Sequence, residues 1–238
     1  MVKCLFYLSH LFLYLLRFVD CAQLIAHRKV DMKRLDDPEH IDYIAFSGHK
    51  MYAPYGTGTL VGRLDTFNHG EPDLRGGGAV SLVTLDRVIW APAPDRDEAG
   101  SPNIPGSVAL LAAIIKLESI GMDYIAKHEA DLTRYALLKL KTVPGIRIFG
   151  DQDPENASNR VGVIPFSLER ISPDLVAAIM GHEFGIGVRS GCFCAHPLIG
   201  KLLGVSEYLL NEYSCIIENG ETSLLDKPGL IRVGFIFL

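Results

Sequence analysis

From Ile41 onward the chain alternates short apolar runs with turn signals, the pattern of an α/β protein. Ile41–Phe46 (IDYIAF) reads as a buried strand closed by Ser47-Gly48, and Thr57–Gly62 (TGTLVG) as a second strand between glycines. A loop region follows, through Gly76-Gly77-Gly78 and the proline-rich Ala91–Pro105. Gly106–Ile120 predicts a helix stopped by Gly121. A second helix runs from about Met122 to Lys141, with Ile125, Leu132, Tyr135 and Ala136 on its apolar face, and Pro144-Gly145 ends it.

The remainder reads as a smaller α/β unit. Ile146–Phe149 and Val161–Phe166 are candidate strands. Ser172-Pro173 opens a helix with Leu175, Val176 and Ile179 facing inward, and Gly185 terminates it. Ile186–Arg189 is then a strand leading into Ser190–Cys194, and Leu230–Leu238 (LIRVGFIFL) is a last strand. The chain divides near residues 122–130, giving domains 1–125 and 126–238.

Cys4–Leu16 is almost wholly apolar, broken only by Ser9 and His10. It falls short of the ~20 residues needed to span a bilayer, and no small-x-small processing site follows it. It reads as a helix turn or strand feeding the core, with a membrane-interacting start as the alternative.

Composition narrows the function classes. In 238 residues, 48% are hydrophobic and 21% charged, which excludes a disordered or fibrous chain. Lysine and arginine number 23 against 28 acidic residues, a net charge of −5, so binding nucleic acid by phosphate neutralisation is not expected. Five unevenly spaced cysteines do not make a secreted disulfide scaffold, and thiols in a reducing, cytoplasmic setting fit better. Cys4, Cys21 and Cys215 read as small core residues.

The most informative stretch is Ser47–Gly58 (SGHKMYAPYGTG). Lys50 follows a buried strand between glycines that let other groups approach. Most lysines are merely solvated, but Ser47 and His49 offer phosphate ligands beside an amine suited to Schiff-base chemistry. Upstream, Asp20-Cys21-Ala22-Gln23 also ends an apolar run. A carboxylate there either caps the strand end or pairs with a pyridinium nitrogen. Asp and Lys at successive strand ends match where open α/β sheets place ligands. Cys192 and Cys194 form a C-x-C pair, but the second ligand pair of a zinc site is missing, so no metal is expected. His196 reads as a loop histidine.

In order, D-x-A-Q, S-G-H-K-x-Y-x-P-x-G-x-G, E-A-G-S-P-N (Glu98–Asn103) and R-S-G-C-F-C-A-H-P (Arg189–Pro197) resemble the class V aminotransferase family. Within it the pattern is most similar to cysteine desulfurases and selenocysteine lyases, over roughly residues 19–200, with a weaker match at Arg232. The resemblance implies a fold-type-I, pyridoxal 5'-phosphate-dependent α/β architecture, with an incomplete large domain built on a mixed sheet and a smaller C-terminal α/β domain. It implies Lys50 as the cofactor-bearing lysine, Asp20 as the partner of the pyridine nitrogen and Gln23 as donor to the phenolic oxygen. Ser47, His49 and Ser101 would hold the phosphate, Ser101 across a dimer interface. Cys194 resembles the nucleophile that takes sulfur from cysteine as a persulfide and leaves alanine, and Arg232, assisted by Arg189, the grip on the substrate carboxylate.

Two departures temper the implied activity. The family's usual upstream segment, with a phosphate loop and a ring-stacking residue, has no counterpart before Asp20, and Arg232-Val233-Gly234 stands where an arginine, a small residue and serine are usual. The chain therefore reads as a fragment, expected to bind the cofactor weakly and to be impaired as a desulfurase. The alternatives are a class V aminotransferase or other lyase in which Cys194 is not a nucleophile, and an inert fragment or partner subunit. Expected partners are a small amino-acid substrate, a second copy in a homodimer and a sulfur-acceptor protein, with neither nucleic acid nor membrane.

Overall fold

The computed structural model of the protein describes residues 15–220 and 228–235. The chain falls into two compact units that divide between Ile125 and Ala126.

The first unit is built on a mixed three-stranded sheet. Strands β1 (Phe18–Asp20), β2 (Tyr43–Ser47) and β3 (Gly58–Gly62) lie in that order. β1 runs parallel to β2 with Asp20 opposite Ala45, and β3 runs antiparallel with Ser47 opposite Gly58. Ile44 is buried in the central strand. Gly62 is required by its neighbour, since a Cβ there would come 2.2 Å from the Tyr43 ring. That ring also meets Phe67 edge-on, at 5.8 Å between centroids.

Just ahead of β2, the buried Asp42 carboxylate accepts from the Arg17 amide at 2.7 Å and pairs with Arg63 Nη1 at 3.1 Å and His40 Nε2 at 3.6 Å. Desolvation alone would raise its pKa, but the Arg17 amide, Arg63 and His40 outweigh that, and the carboxyl titrates below its ordinary range. A depressed folded pKa adds stability above the unfolded value, and this is lost as pH falls through the folded one. Asp42→Asn is therefore expected to flatten the acid limb of a urea-midpoint titration between about pH 5 and pH 2. An unchanged slope would show that Asp42 gains nothing from these partners.

A short helix, α1 (Leu64–Phe67), leads to a feature where only loop was expected. Strands β4 (Val80–Val83) and β5 (Val88–Trp90) pair as an antiparallel hairpin with a register shift between Val80 and Leu82. Each strand is too short to show alternation, and the hairpin's Leu82, Val83, Val88 and Ile89 are exposed. Helix α2 (Ile104–Ile120) begins two residues before the expected Gly106, because the Asn103 side chain caps it by accepting from the Gly106 amide and Pro105 fits its first turn. Leu110 and Leu117 are buried, whereas Ile104, Val108, Leu111 and Ile115 are exposed.

Helix α3 (Met122–Leu140) spans the division. Its buried positions are Ile125, Glu129, Thr133 and Leu137, four residues apart. Tyr135, expected on the apolar face, is 63% exposed. Two residues past Thr133, it lies about 200° around the helix from that stripe. Glu129 packs on Gly162, where a Cβ would come within 2.4 Å of its side chain.

The second unit carries an antiparallel sheet of β6 (Ile146–Ile148), β7 (Val163–Leu168), β8 (Arg189–Gly191) and β9 (Leu230–Gly234), ordered β6-β7-β9-β8. Ile148, Ile164, Phe166 and Ile231 form its core with Leu137 and Val176. Helix α4 (Pro173–Phe184) is capped by the Ser172 side chain and closed by Gly185 at φ 65°. Its inward residues are Val176 and Met180, one turn apart, while Leu175 and Ile179, expected inside, are exposed. The strand expected at Ile186–Arg189 begins only at Arg189. The Ile186 amide is spent on Met180 O, completing the helix C-cap, and pairing to β9 starts with Arg189 opposite Arg232.

Helices α5 (His196–Leu203) and α6 (Glu207–Glu218) fill the connection to β9. His196 thus opens a helix rather than sitting in a loop. Cys21 is fully buried as expected, but Cys215 is exposed on α6 and is not a core residue. Leu15 and Leu16, the end of the apolar run, are exposed. The rest of that run, with Cys4, and residues 236–238 of the expected last strand lie outside the described residues. Among the described residues no single helix is long and apolar enough to cross a membrane.

Candidate functional site

Parallel pairing puts the C-terminal ends of β1 and β2 on one edge of the sheet, so Asp20 and Ser47 end their strands side by side. Directly after Ser47 the chain enters a tight 3-10 turn, Gly48–Met51, that carries His49 and Lys50. Its geometry needs Gly48. The Gly48 amide donates to Thr57 O at 2.8 Å, and a Cβ there would come 2.5 Å from Thr57 Cγ2. Met51 and Ala53 are buried and anchor the turn, and Tyr52 closes it in the left-handed region at φ 67°. Lys50 is half-buried and His49 exposed. Among the described residues neither side chain has a hydrogen-bond or ion-pair partner.

Asp20 is exposed, and its Oδ1 accepts from the Ala22 amide at 2.8 Å. The capping role considered for it is therefore real, and Oδ2 remains available. Cys21 donates its amide to Ala45 O at 2.9 Å, and burial, helped by the Asp20 charge, pushes its thiol up. Gln23 is exposed in the turn that follows. Ser101 is exposed just ahead of α2. No polar contact joins Gln23 or Ser101 to the other four side chains among the described residues.

Asn103, which the sequence offered only as the end of a motif and with no role, ties this edge together. Its amide donates to Tyr55 O at 2.6 Å while its oxygen accepts from Gly106 at 3.0 Å. A Cβ on Gly106 would come within 2.9 Å of Thr57 Cβ, so Asn103, Gly106, Thr57 and Gly48 lock the Lys50 turn against the start of α2. The available signal was an asparagine three residues before Gly106, with proline between them, at the head of an apolar helix.

The second group of candidates lies on β8, β9 and the loop between β8 and α5. Arg189 and Arg232 are direct cross-strand partners. Phe193 and Cys194 have φ of 53° and 62°, and the Ala195 amide closes the turn on Cys192 O at 2.8 Å. Left-handed backbone costs a residue with a Cβ about 1–2 kcal/mol. Packing offsets that cost, because Cys192, Phe193 and Ala195 sit against Phe149, Ile199 and Leu230. The Arg232 guanidinium also stacks 5.0 Å from the Phe193 ring. Burial holds the Arg232 pKa below its ordinary range, with the Arg189 charge acting in the same direction and Cys194 opposing. Cys194 is exposed. Cys192 is half-buried, its thiol donates to Pro228 O at 3.1 Å, and burial pushes that thiol up.

The structure thus gathers Asp20, Ser47, His49 and Lys50 in one unit and Arg189, Cys194 and Arg232 in the other. The first donor set fits pyridoxal 5'-phosphate: an unpaired primary amine for the aldehyde, a carboxylate for the ring nitrogen, and a hydroxyl and imidazole for the phosphate. Among the described residues no group of three or more His, Cys, Asp or Glu side chains is placed to hold a metal.

Residues 13–235 match the family described as aminotransferase class V. A probable cysteine desulfurase of Staphylococcus epidermidis is 39% identical over 188 residues, which cover 79% of this chain and 43% of that protein. One from Halalkalibacterium halodurans is 39% identical over 181 residues, 76% of this chain and 42% of its own. Among solved structures, an apo cysteine desulfurase from Thermococcus onnurineus superposes with a TM-score of 0.70 at 32% identity, covering 92% of this chain and 47% of that one. The cysteine desulfurase CsdA of Escherichia coli gives 0.72 at 28% identity, covering 92% and 46%. The chain spans less than half the length of these relatives.

Proposed function

The chain belongs to the aminotransferase class-V family of pyridoxal-phosphate enzymes, with the fold-type-I architecture of its structural neighbours, and from that premise we propose that it carries part of a cysteine desulfurase. The reaction moves sulfur from cysteine to the Cys194 thiol as a persulfide and leaves alanine. The observation that carries this reading is the placement of Cys194, exposed on a turn whose preceding ring stacks on Arg232.

Bound pyridoxal phosphate supplies an electron sink that acidifies the substrate α-carbon. The chain's residues do the rest. Lys50 Nζ would carry the cofactor, Asp20 would hold its ring nitrogen protonated, and Gln23 would donate to its phenolic oxygen. Ser47, His49 and Ser101 would bind the phosphate. Arg232, beside Arg189, binds the substrate carboxylate, and Cys194 Sγ attacks the substrate sulfur. A cytoplasmic homodimer that passes sulfur to an acceptor protein belongs to the same reading.

Purified protein supplied with excess cofactor, cysteine and dithiothreitol is expected to yield sulfide and alanine in equal amounts, at a rate well below that of a full-length relative of about twice its length. Cys194→Ser abolishes sulfide and leaves cofactor binding intact, whereas Cys192→Ser retains most of the rate. Amino-group transfer to a keto acid, without sulfide and indifferent to Cys194, would establish the aminotransferase reading instead.

A further inference from the structure

The C-x-C pair is only half used by the proposed reaction, which assigns no task to Cys192. Two residues apart, Cys192 and Cys194 cannot have Cα atoms further apart than about 7 Å even in an extended chain. Here they are not extended. Phe193 and Cys194 both lie at positive φ, and the Ala195 amide closes the turn on Cys192 O. Such a turn shortens the separation into the roughly 4.4–6.8 Å that a disulfide spans. One thiol is exposed and the other half-buried in the same turn, held by a single S–H···O bond to Pro228 O.

We propose that Cys192 is the resolving thiol of Cys194, so that sulfur held on Cys194 is displaced by formation of a Cys192–Cys194 disulfide. For the persulfide this rests on the desulfurase reading. Cys192 leaves Pro228 O and its sulfur attacks Cys194 Sγ. The Sγ–S bond of the persulfide breaks, the Cys192–Cys194 bond forms, and the outer sulfur departs with the Cys192 proton as hydrogen sulfide. The persulfide is itself the oxidant, so no other is needed. The same attack on a Cys194–glutathione mixed disulfide releases glutathione. Either way the nucleophile is capped until a thiol reductant reopens it. The hydrogen bond to Pro228 and the burial of Cys192 keep the resolving thiol protonated and docked, which slows the step and gives an acceptor time to take the sulfur first.

The test uses the full chain, reduced, freed of reductant and treated with oxidised glutathione. Tryptic peptide Ser190–Lys201 contains both thiols. It is expected two hydrogens lighter and closed to alkylation in the wild type, whereas in Cys192→Ser it carries glutathione on Cys194. A wild-type peptide that keeps glutathione on Cys194 while Cys192 still alkylates would overturn the proposal. In a second arm, inorganic polysulfide loads Cys194 with no cofactor present. Sulfide release without added thiol should be about tenfold faster in the wild type than in Cys192→Ser, and equal rates would overturn the proposal. A chain that forms the bridge but releases no sulfide from cysteine supports the pairing while overturning the desulfurase reading.

Discussion

In Lys50→Ala, borohydride reduction in the presence of pyridoxal 5'-phosphate is expected to leave no covalent label, while in the wild-type chain the label sits on Lys50. The turn that presents this amine owes nothing to the amine itself. It is shaped by Gly48 against Thr57, anchored by Met51 and Ala53, and closed by Tyr52. The Lys50 side chain has no polar partner among the described residues, so its removal should change stability by no more than about 0.5 kcal/mol. Peptide mapping by mass spectrometry, with a thermal melt as control, separates loss of attachment from loss of fold. A label on the exposed Lys29 or Lys33 would remove Lys50 from its role.

Leu137→Ala should be among the costliest single truncations in the second unit. Leu137 is fully buried and packs with Ile148, Ile164, Phe166, Val176 and Ile231. Truncating a leucine in such a core costs about 2–5 kcal/mol. Its neighbour Leu138 is 48% exposed, so Leu138→Ala is the matched control, expected within roughly 1 kcal/mol of wild type. Urea unfolding followed by circular dichroism gives both values. Equal losses would mean that the helix face has been assigned the wrong way round.

The parts of the fold that sequence exposed most clearly were those with a local physical signature. The Ser172 cap, the Gly185 stop and the strand before Lys50 each declare themselves within a few residues. Faces were harder. On α3 the buried stripe includes Glu129 and Thr133, so a hydrophobicity pattern tilts toward Tyr135. On α4 the buried Val176 and partly buried Met180 are outnumbered by exposed apolar side chains. The β4–β5 hairpin escaped because three- and four-residue strands carry almost no periodicity. In the candidate site the reactive residue types were visible, but their supports were not. Asn103 works by reaching back 48 residues to Tyr55 while it holds Gly106, and the left-handed pair Phe193–Cys194 follows from packing on Phe149 and Leu230 rather than from any local preference. Arg189 and Arg232 become neighbours only through strand pairing.

That pairing principle has a further consequence at the first sheet. Asp20 and Lys50 are thirty positions apart, yet their spacing is fixed by three in-register rungs between β1 and β2 and by one tight turn. The intervening stretch, residues 21–42, is pinned at Cys21 on Ala45 and at Asp42 on Arg17, with the buried Ala26 and the Arg17 guanidinium on Pro38 O and His40 O as further anchors. Between those anchors, at residues 29–31, the chain can lengthen or shorten without moving the strand ends that carry Asp20 and Lys50. Insertions and deletions near residues 29–31 are therefore structurally cheap, whereas a single residue added within Tyr43–Ser47 shifts the rungs and turns every strand side chain beyond it to the opposite face. The sheet separates a segment free to diverge in length from one whose length is invariant, and a protein engineer seeking to graft a loop beside this edge has room in the first and none in the second.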